Sequence, residues 1–154
     1  MLRSFLPASW TNNAVFPGDL SYDELATPCK KRLSYIRASI VFPNSTQGVL
    51  WSVIAAFQEK LQVSARFGGH SYAASGSGGA KGTLVVDLSR LKTIFVNQST
   101  CQAVIGTGNR LGDIAVELYF QGRRALPRGT HPYMGIRGHP HTAFGGSSSL
   151  DLAL

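Results

Sequence analysis

The order strand, helix, strand, followed at once by a run of glycines, constrains the fold of this chain more than any other feature. Residues 40–42, Ile-Val-Phe, and residues 63–67, Val-Ser-Ala-Arg-Phe, are each predicted to form a short strand. Between them, Ser45 or Thr46 can cap a helix that extends to about residue 60. Such a unit predicts two parallel strands joined by a right-handed crossover. The apolar residues whose spacing predicts the helix are Val49, Leu50, Val53, Ile54 and Phe57.

Six of the 17 glycines lie between Gly68 and Gly82, directly after the second strand. Glycine reaches positive φ and has no Cβ, so the backbone N–H groups of such a loop can converge on an anion. The segment 66–72 is therefore a candidate cradle for a pyrophosphate group. It is neither a Walker P-loop nor a GxGxxG turn that leads straight into a helix. A glycine-rich surface loop without a ligand is the alternative that this pattern leaves open.

The rest of the sequence predicts three further strands and one further helix. The strands span residues 83–88, 93–96 and 103–106. The helix spans residues 111–121, with Asn109 as its N-cap. Residues 1–35 lack periodicity and are predicted to form an irregular arm, and the chain beyond Arg124 is predicted to be loop. The inner face of the helix is predicted to consist of Leu111, Ile114, Ala115 and Leu118.

Basic residues outnumber acidic ones, 15 to 8, which gives a net charge of +7. A nucleic-acid-binding surface needs clustered positive charge, whereas here only residues 30–32 and 123–124 form runs. A small cofactor that carries phosphate needs far fewer positive groups and is compatible with this scatter.

Several other patterns exclude or leave open particular features. Cys29 and Cys101 lack metal-ligand spacing, so no metal site is predicted, and a disulfide between them stays open. No apolar run approaches the roughly 18 residues of a membrane span. Asn44 and Asn97 begin N-x-S/T sequons, which would accept glycans if the chain entered a secretory pathway and would otherwise be ordinary loops.

The segment 66–72, Arg-Phe-Gly-Gly-His-Ser-Tyr, resembles the (R/K)-S-G-G-H-S-Y loop of a family of FAD-linked oxidases. These have a PCMH-type, vanillyl-alcohol-oxidase-like flavin domain, and the resemblance is to the branch of berberine bridge enzymes and oligosaccharide oxidases. Residues 106–112, Gly-Thr-Gly-Asn-Arg-Leu-Gly, are similar to the GxGxRLG motif of this family. Residues 129–139 are similar to its GTCPxVGxxGH segment. The resemblance extends over residues 16–146 in the order and spacing of the family.

The resemblance implies an α+β fold, with a small parallel sheet, flanking helices and part of an antiparallel lobe. It places a C-terminally incomplete, PCMH-type FAD-binding domain in residues 36–154. Gly68 to Ser71 would wrap the pyrophosphate of FAD, and His70 would be bonded to the flavin 8α-methyl carbon. A histidine that only forms hydrogen bonds within its loop is the alternative. The implied cofactor-binding residues are Arg66, Phe67, Gly68, Gly69, His70, Ser71, Tyr72, Gly129, Thr130, His131, Gly135, Gly138 and His139.

Two residues depart from the pattern of this family. Phe67 replaces a small serine beside the cradle. His131 stands where doubly linked members have the cysteine that bonds flavin C6, and an imidazole cannot form that thioether. The sequence therefore predicts at most one covalent attachment, through His70.

The resemblance implies an FAD-binding oxidoreductase that acts on CH–OH groups of an alcohol or saccharide, with oxygen as the acceptor. In the family a long segment follows the Gly-His pair at residues 138–139, so the sequence is expected to be an N-terminal fragment, and no catalytic base is assigned. The alternative is a non-catalytic truncated remnant with weak or no flavin binding. The expected partners are FAD and a small alcohol or saccharide, with no nucleic acid and no membrane. The family is secreted, whereas the first residues here form no convincing signal peptide.

Overall fold

The computed structural model describes residue 10 and residues 13–28, 35–70 and 81–136. The chain divides into two compact units, Met1–Arg90 and Leu91–Leu154. Within the described ranges, no helix has the length and apolar character needed to cross a membrane.

The first unit contains a four-stranded sheet in the order β1, β2, β4, β3. β4 runs parallel to both β2 and β3, and β1 runs antiparallel to β2. Val86 of β4 lies opposite Val41 of β2 on one side and Ala65 of β3 on the other. The strands are β1 (Ala14–Val15), β2 (Ser39–Val41), β3 (Val63–Arg66) and β4 (Leu84–Asp87).

β2 and β3, the two strands of the predicted strand–helix–strand unit, run in the same direction but are not neighbours. β4 lies between them. It begins Leu-Val-Val and is buried along its whole length. A strand of this composition suits the centre of a parallel sheet, where both faces are covered. The pattern within 40–67 therefore predicted the strand directions, whereas the more apolar β4 occupies the central position.

The predicted irregular arm contains two short regular elements, β1 and the helix α1 (Tyr22–Ala26). Tyr22 and Ala26 are buried with Ile40 and Val85 in one apolar cluster. The part of the arm that the structure describes thus contributes to the core of the first unit.

The helix α2 (Thr46–Gln58) is close to its predicted bounds and packs against β4. The Ser45 side chain caps it by accepting a hydrogen bond from Gly48 N at 3.2 Å, as predicted. Its buried face, however, consists of small residues: Gly48, Ser52, Ala55 and Ala56. A Cβ at Gly48 would lie 2.8 Å from the Trp10 ring, so this face permits a close approach that larger residues would prevent. The large apolar residues whose spacing predicted the helix lie half-buried or exposed.

The second unit contains an antiparallel hairpin of β5 (Ile94–Asn97) and β6 (Gln102–Ile105), followed by the helix α3 (Leu111–Phe120). Val96 of β5 packs with Ile114 and Leu118 of α3. Of the predicted inner face of α3, Leu111, Ile114 and Leu118 are buried and Ala115 is half-buried. The mixed sheet, parallel except for β1, its flanking helices and this antiparallel hairpin confirm the predicted α+β class.

Candidate functional site

The glycine loop begins directly after Arg66, the last residue of β3. Gly69 has φ +72°, a conformation that residues with a side chain rarely adopt. No heavy atom of the described residues lies within 4 Å of the position that a Cβ on Gly69 would take. Open space beside a bare backbone is compatible with the predicted phosphate cradle. Phe67, Gly68 and His70 are half-buried around it. Ser71 and Tyr72 lie outside the described residues.

The Arg66 side chain is held by two protein groups. Its Nε donates a hydrogen bond to the Asp87 carboxylate, and its Nη1 donates one to Leu25 O at 2.6 Å. The two charged side chains are largely buried, 12% and 8% exposed for Arg66 and Asp87. Arg66 is one of the predicted cofactor-binding residues, and these two of its nitrogens donate to protein groups.

Arg37, two residues before β2, is a second buried arginine. Its Nη1 donates a hydrogen bond to Ala26 O, and its backbone N donates one to the Tyr22 hydroxyl at 2.9 Å. Burial, and then repulsion from the Arg66 guanidinium, lower the pKa of Arg37 below its usual value. The two guanidinium groups donate to adjacent carbonyls at the end of α1, Ala26 O and Leu25 O.

The second set of predicted residues follows α3, and the first turn of that helix holds it in place. Leu111 N donates a hydrogen bond to Met134 O and Gly112 N donates one to Pro132 O, each at 2.9 Å. Ile136 N donates to Asn109 O at 3.1 Å. The GxGxRLG-like and GTHPYMG segments are thus in direct contact. Because carbonyl oxygens occupy these two amides, they are not available to bind an anion.

Asn109 is not the N-cap of α3, contrary to the prediction. Arg110 occupies that position, with an extended backbone and no side-chain cap. The Asn109 Nδ2 instead donates a hydrogen bond to Gly106 O at 2.9 Å. The backbone carbonyls of Pro132 and Met134 already satisfy the amides that a capping side chain would bind.

His131 is exposed and lies at the start of the loop of residues 131–136, which is hydrogen-bonded to the first turn of α3. Its ring meets the Tyr133 ring edge to face, with the centroids 5.8 Å apart. Gly129 O accepts a hydrogen bond from Arg128 Nη1 at 3.2 Å. Thr130 directly precedes this loop and Gly135 belongs to it, whereas Gly138 and His139 lie outside the described residues.

The predicted cofactor residues thus form two local groups, residues 66–70 in the first unit and residues 129–135 in the second. A groove of about 540 Å³ beside α3 contains none of them and is lined in part by Lys92, Asp113 and Glu117. Within the described ranges, no three His, Cys, Asp or Glu side chains are placed to hold a metal ion.

The contact between Asp87 and Arg66 was not predicted from the sequence. The available signal was a carboxylate at the end of an otherwise apolar strand, since a buried charge requires a partner. Arg66, at the end of another strand, had the opposite charge. Their contact also required knowing that β3 and β4 are neighbours, with Arg66 opposite Asp87.

The comparisons with known proteins agree with this architecture. A family described as an FAD binding domain matches residues 38–151. A xylooligosaccharide oxidase of Thermothelomyces thermophilus is 40% identical over 124 residues, which are 80% of this chain and 25% of that protein. This chain therefore spans about a quarter of the length of that relative.

Two solved structures are similar to the chain in both fold and sequence. The wild-type BBE-like 1 protein of Physcomitrella patens has a TM-score of 0.84 and 34% identity, over 90% of this chain and 30% of that one. A glucooligosaccharide oxidase of Acremonium strictum, described with a 6-S-cysteinyl, 8α-N1-histidyl FAD, has a TM-score of 0.81 and 34% identity, over 90% and 29%. The chain belongs to the FAD binding domain family, in the branch of berberine bridge enzyme-like proteins and oligosaccharide oxidases.

Proposed function

We propose that this chain forms the FAD-binding part of an oxidoreductase that oxidises an alcohol or saccharide carbon with oxygen as the electron acceptor. The observation that carries the proposal is the glycine loop at the end of β3, where Gly69 has φ +72° and open space beside its Cα. The names of the relatives, which include oxidases of xylo- and glucooligosaccharides, support the saccharide class.

Within this proposal, Gly68 and Gly69 bind the diphosphate through their backbone amides. Ser71 completes the segment that wraps the diphosphate. His70 anchors the isoalloxazine ring through its 8α carbon. FAD, when bound, supplies the hydride-accepting chemistry, and the residues of this chain bind and orient it. His131 lacks a thiol, so the attachment is single, unlike that of the glucooligosaccharide oxidase. No residue of this chain is assigned as the general base.

The test is flavin binding by the purified 154-residue chain. Absorbance near 450 nm that survives gel filtration, together with saturable FAD titration by calorimetry, is the expected result. A chain that is well folded by circular dichroism but takes up no FAD would favour the alternative function, that of a domain without cofactor and without catalysis.

We also propose that the chain is exported, as members of the family that it resembles are, and that Asn97 then carries a glycan. Asn97 starts an exposed turn in which its Oδ1 accepts hydrogen bonds from Ser99 N at 3.0 Å and Ser99 Oγ at 2.7 Å. A glycan on Nδ2 leaves that oxygen in place, so modification preserves the turn. Secretion from a eukaryotic host should give a species that an N-glycosidase shifts to lower mass, and Asn97→Gln should remove this shift or part of it.

A further inference from the structure

Two arginines bind the last carbonyls of α1. Arg66 Nη1 donates to Leu25 O at 2.6 Å, and Arg37 Nη1 donates to Ala26 O. The final carbonyls of a helix have no partner within the helix and carry partial negative charge, so cationic donors stabilise this end. α1 is thereby connected to the end of β3 and to the residues that precede β2.

Asp87 adds β4 to this cluster. Its Oδ2 accepts a hydrogen bond from Arg66 Nε, and its Oδ1 accepts one from Ser89 N at 2.9 Å. Arg66 and Asp87 are opposite one another in the parallel register, and each is the last residue of its strand. The pair therefore fixes the point at which the chain leaves β3, one residue before the glycine loop.

We propose that Arg66 and Asp87 are a positioning pair for the glycine loop, and that they act on FAD through the backbone of residues 67–70 rather than by contact with its phosphates. The inference rests on the proposed function, because it assigns the diphosphate to this loop. The proposal assigns Asp87 a role in cofactor binding. It also assigns Arg66 a positioning role in place of direct contact with the cofactor.

The charges in this cluster allow two models to be distinguished: positioning of the loop by the pair, and direct contact of Arg66 with phosphate. Arg37 and Arg66 donate to adjacent carbonyls of α1, and Asp87 supplies a negative charge in contact with Arg66. Replacing Asp87 by Asn removes that negative charge and leaves the positive charges of the two arginines. If Arg66 bound phosphate by charge, the extra positive potential would tighten the binding of an anion. If the pair positions the loop, binding weakens instead, so the two models predict opposite signs.

The binding experiment measures FAD and ADP affinities by calorimetry for the full chain. Asp87→Asn should weaken both by at least tenfold. Arg66→Lys keeps the positive charge but cannot reproduce both hydrogen bonds, to Asp87 and to Leu25 O, so it should also weaken binding, whereas a phosphate contact by charge alone would be retained. Arg66→Met should weaken binding, and the double variant Arg66→Met/Asp87→Asn should lose less than the product of the two single losses, since both break one contact. The matched control is Asp113→Asn, at a carboxylate that is 51% exposed in the second unit, and it should change neither affinity.

Amide hydrogen exchange of the chain without FAD separates local positioning from general stability. Leu88 N donates to Arg66 O at the loop end of β3, and Leu84 N donates to Gln62 O at the other end of the same strand pair. Asp87→Asn should accelerate exchange at Leu88 by at least tenfold and leave Leu84 unchanged. Equal acceleration at both amides, or unchanged or tighter ADP binding by Asp87→Asn, would overturn the proposal. A wild-type chain that binds no FAD would overturn the proposed function, while the exchange rates would still decide whether the pair positions the loop.

Discussion

Gly18 and Gly69 are both in the left-handed region of backbone conformation, with φ of +96° and +72°. Neither has a heavy atom of the described residues within 4 Å of an added Cβ, so a side chain at either position meets backbone strain rather than a collision. Gly18 lies in the turn before α1, whereas Gly69 lies in the glycine loop. At the scale of single residues, a substitution at Gly18 therefore measures the effect of backbone strain alone. The same substitution at Gly69 measures strain together with the loss of the proposed binding surface.

Gly69→Val should weaken FAD binding by at least tenfold, because valine disfavours positive φ and its methyl groups fill the space left for the ligand. Helix content by circular dichroism should stay nearly unchanged. Gly18→Val is the control, since it introduces similar strain outside the loop and should leave FAD affinity within about twofold of the wild type. Equal affinity of Gly69→Val and wild type would contradict the cradle assignment.

Covalent flavin, where it forms, should be attached to His70 alone. Denatured, acid-precipitated protein should fluoresce on a gel, and tryptic mapping should place the flavin mass on the peptide that starts at Phe67. His70→Ala should abolish this signal, whereas His131→Ala should keep it, because position 131 has no thiol. A flavin mass on a peptide that contains Cys29 or Cys101 would show this prediction to be wrong.

At the scale of elements, the second unit depends on close approaches between backbone segments. Gly106 N donates to Thr93 O at 2.7 Å, and a Cβ at Gly106 would lie 2.3 Å from Leu91 O. A Cβ at Gly122 would instead meet the side-chain amide of Gln98 at 2.9 Å. The backbone carbonyl of Leu91 cannot move without shifting its chain segment, whereas the side chain of a surface glutamine can rotate away.

Gly106→Ala should therefore destabilise the chain by about 1–3 kcal/mol, as expected for overpacking against a fixed neighbour. Gly122→Ala should change the free energy of unfolding by less than about 0.5 kcal/mol, a value typical of surface substitutions. Urea denaturation of the two variants measures the difference. Similar losses for both would mean that the contact of Gly106 with Leu91 does not limit stability.

At the scale of the whole molecule, α2 leaves apolar surface uncovered within the described residues. Phe57 is 82% exposed and Leu50 is 50% exposed, while Ala56 is fully buried on the opposite side of the helix. Contiguous apolar surface of this kind promotes association in water. The small residues on the buried side determine this arrangement, because they hold the helix close to the sheet.

The purified chain should self-associate as its concentration rises, and the double variant Leu50→Gln/Phe57→Gln should reduce this without lowering the melting temperature. Glutamine forms helix well and preserves net charge, so the change removes only apolar surface. Sedimentation velocity measures the association. Ala56→Gln is the control, because a long polar side chain at a buried position should destabilise the chain and leave association undiminished. Unchanged association of the double variant would show that a surface other than this face of α2 mediates self-association.

The elements themselves were largely predictable from local signals. The Ser45 cap, the bounds of α2 and α3, and the strands β3 to β6 follow from periodicity and from short-range hydrogen bonds. The glycine loop at the end of β3 and the family motifs likewise require only residues that are near in sequence. The roles of the predicted cofactor residues remain predictions, since they depend on contacts with FAD.

The sequence by itself determined the α+β class, the strand that leads into the glycine loop and the membership in the FAD binding domain family, because each depends on residue type and spacing. Only the tertiary structure decided that β4 separates β2 from β3, that Arg66 meets Asp87, and that the first amides of α3 bind the loop of residues 131–136. These contacts join residues distant in sequence. They are selected by competition among many buried arrangements, in which each polar group must find a partner and each apolar face a cover.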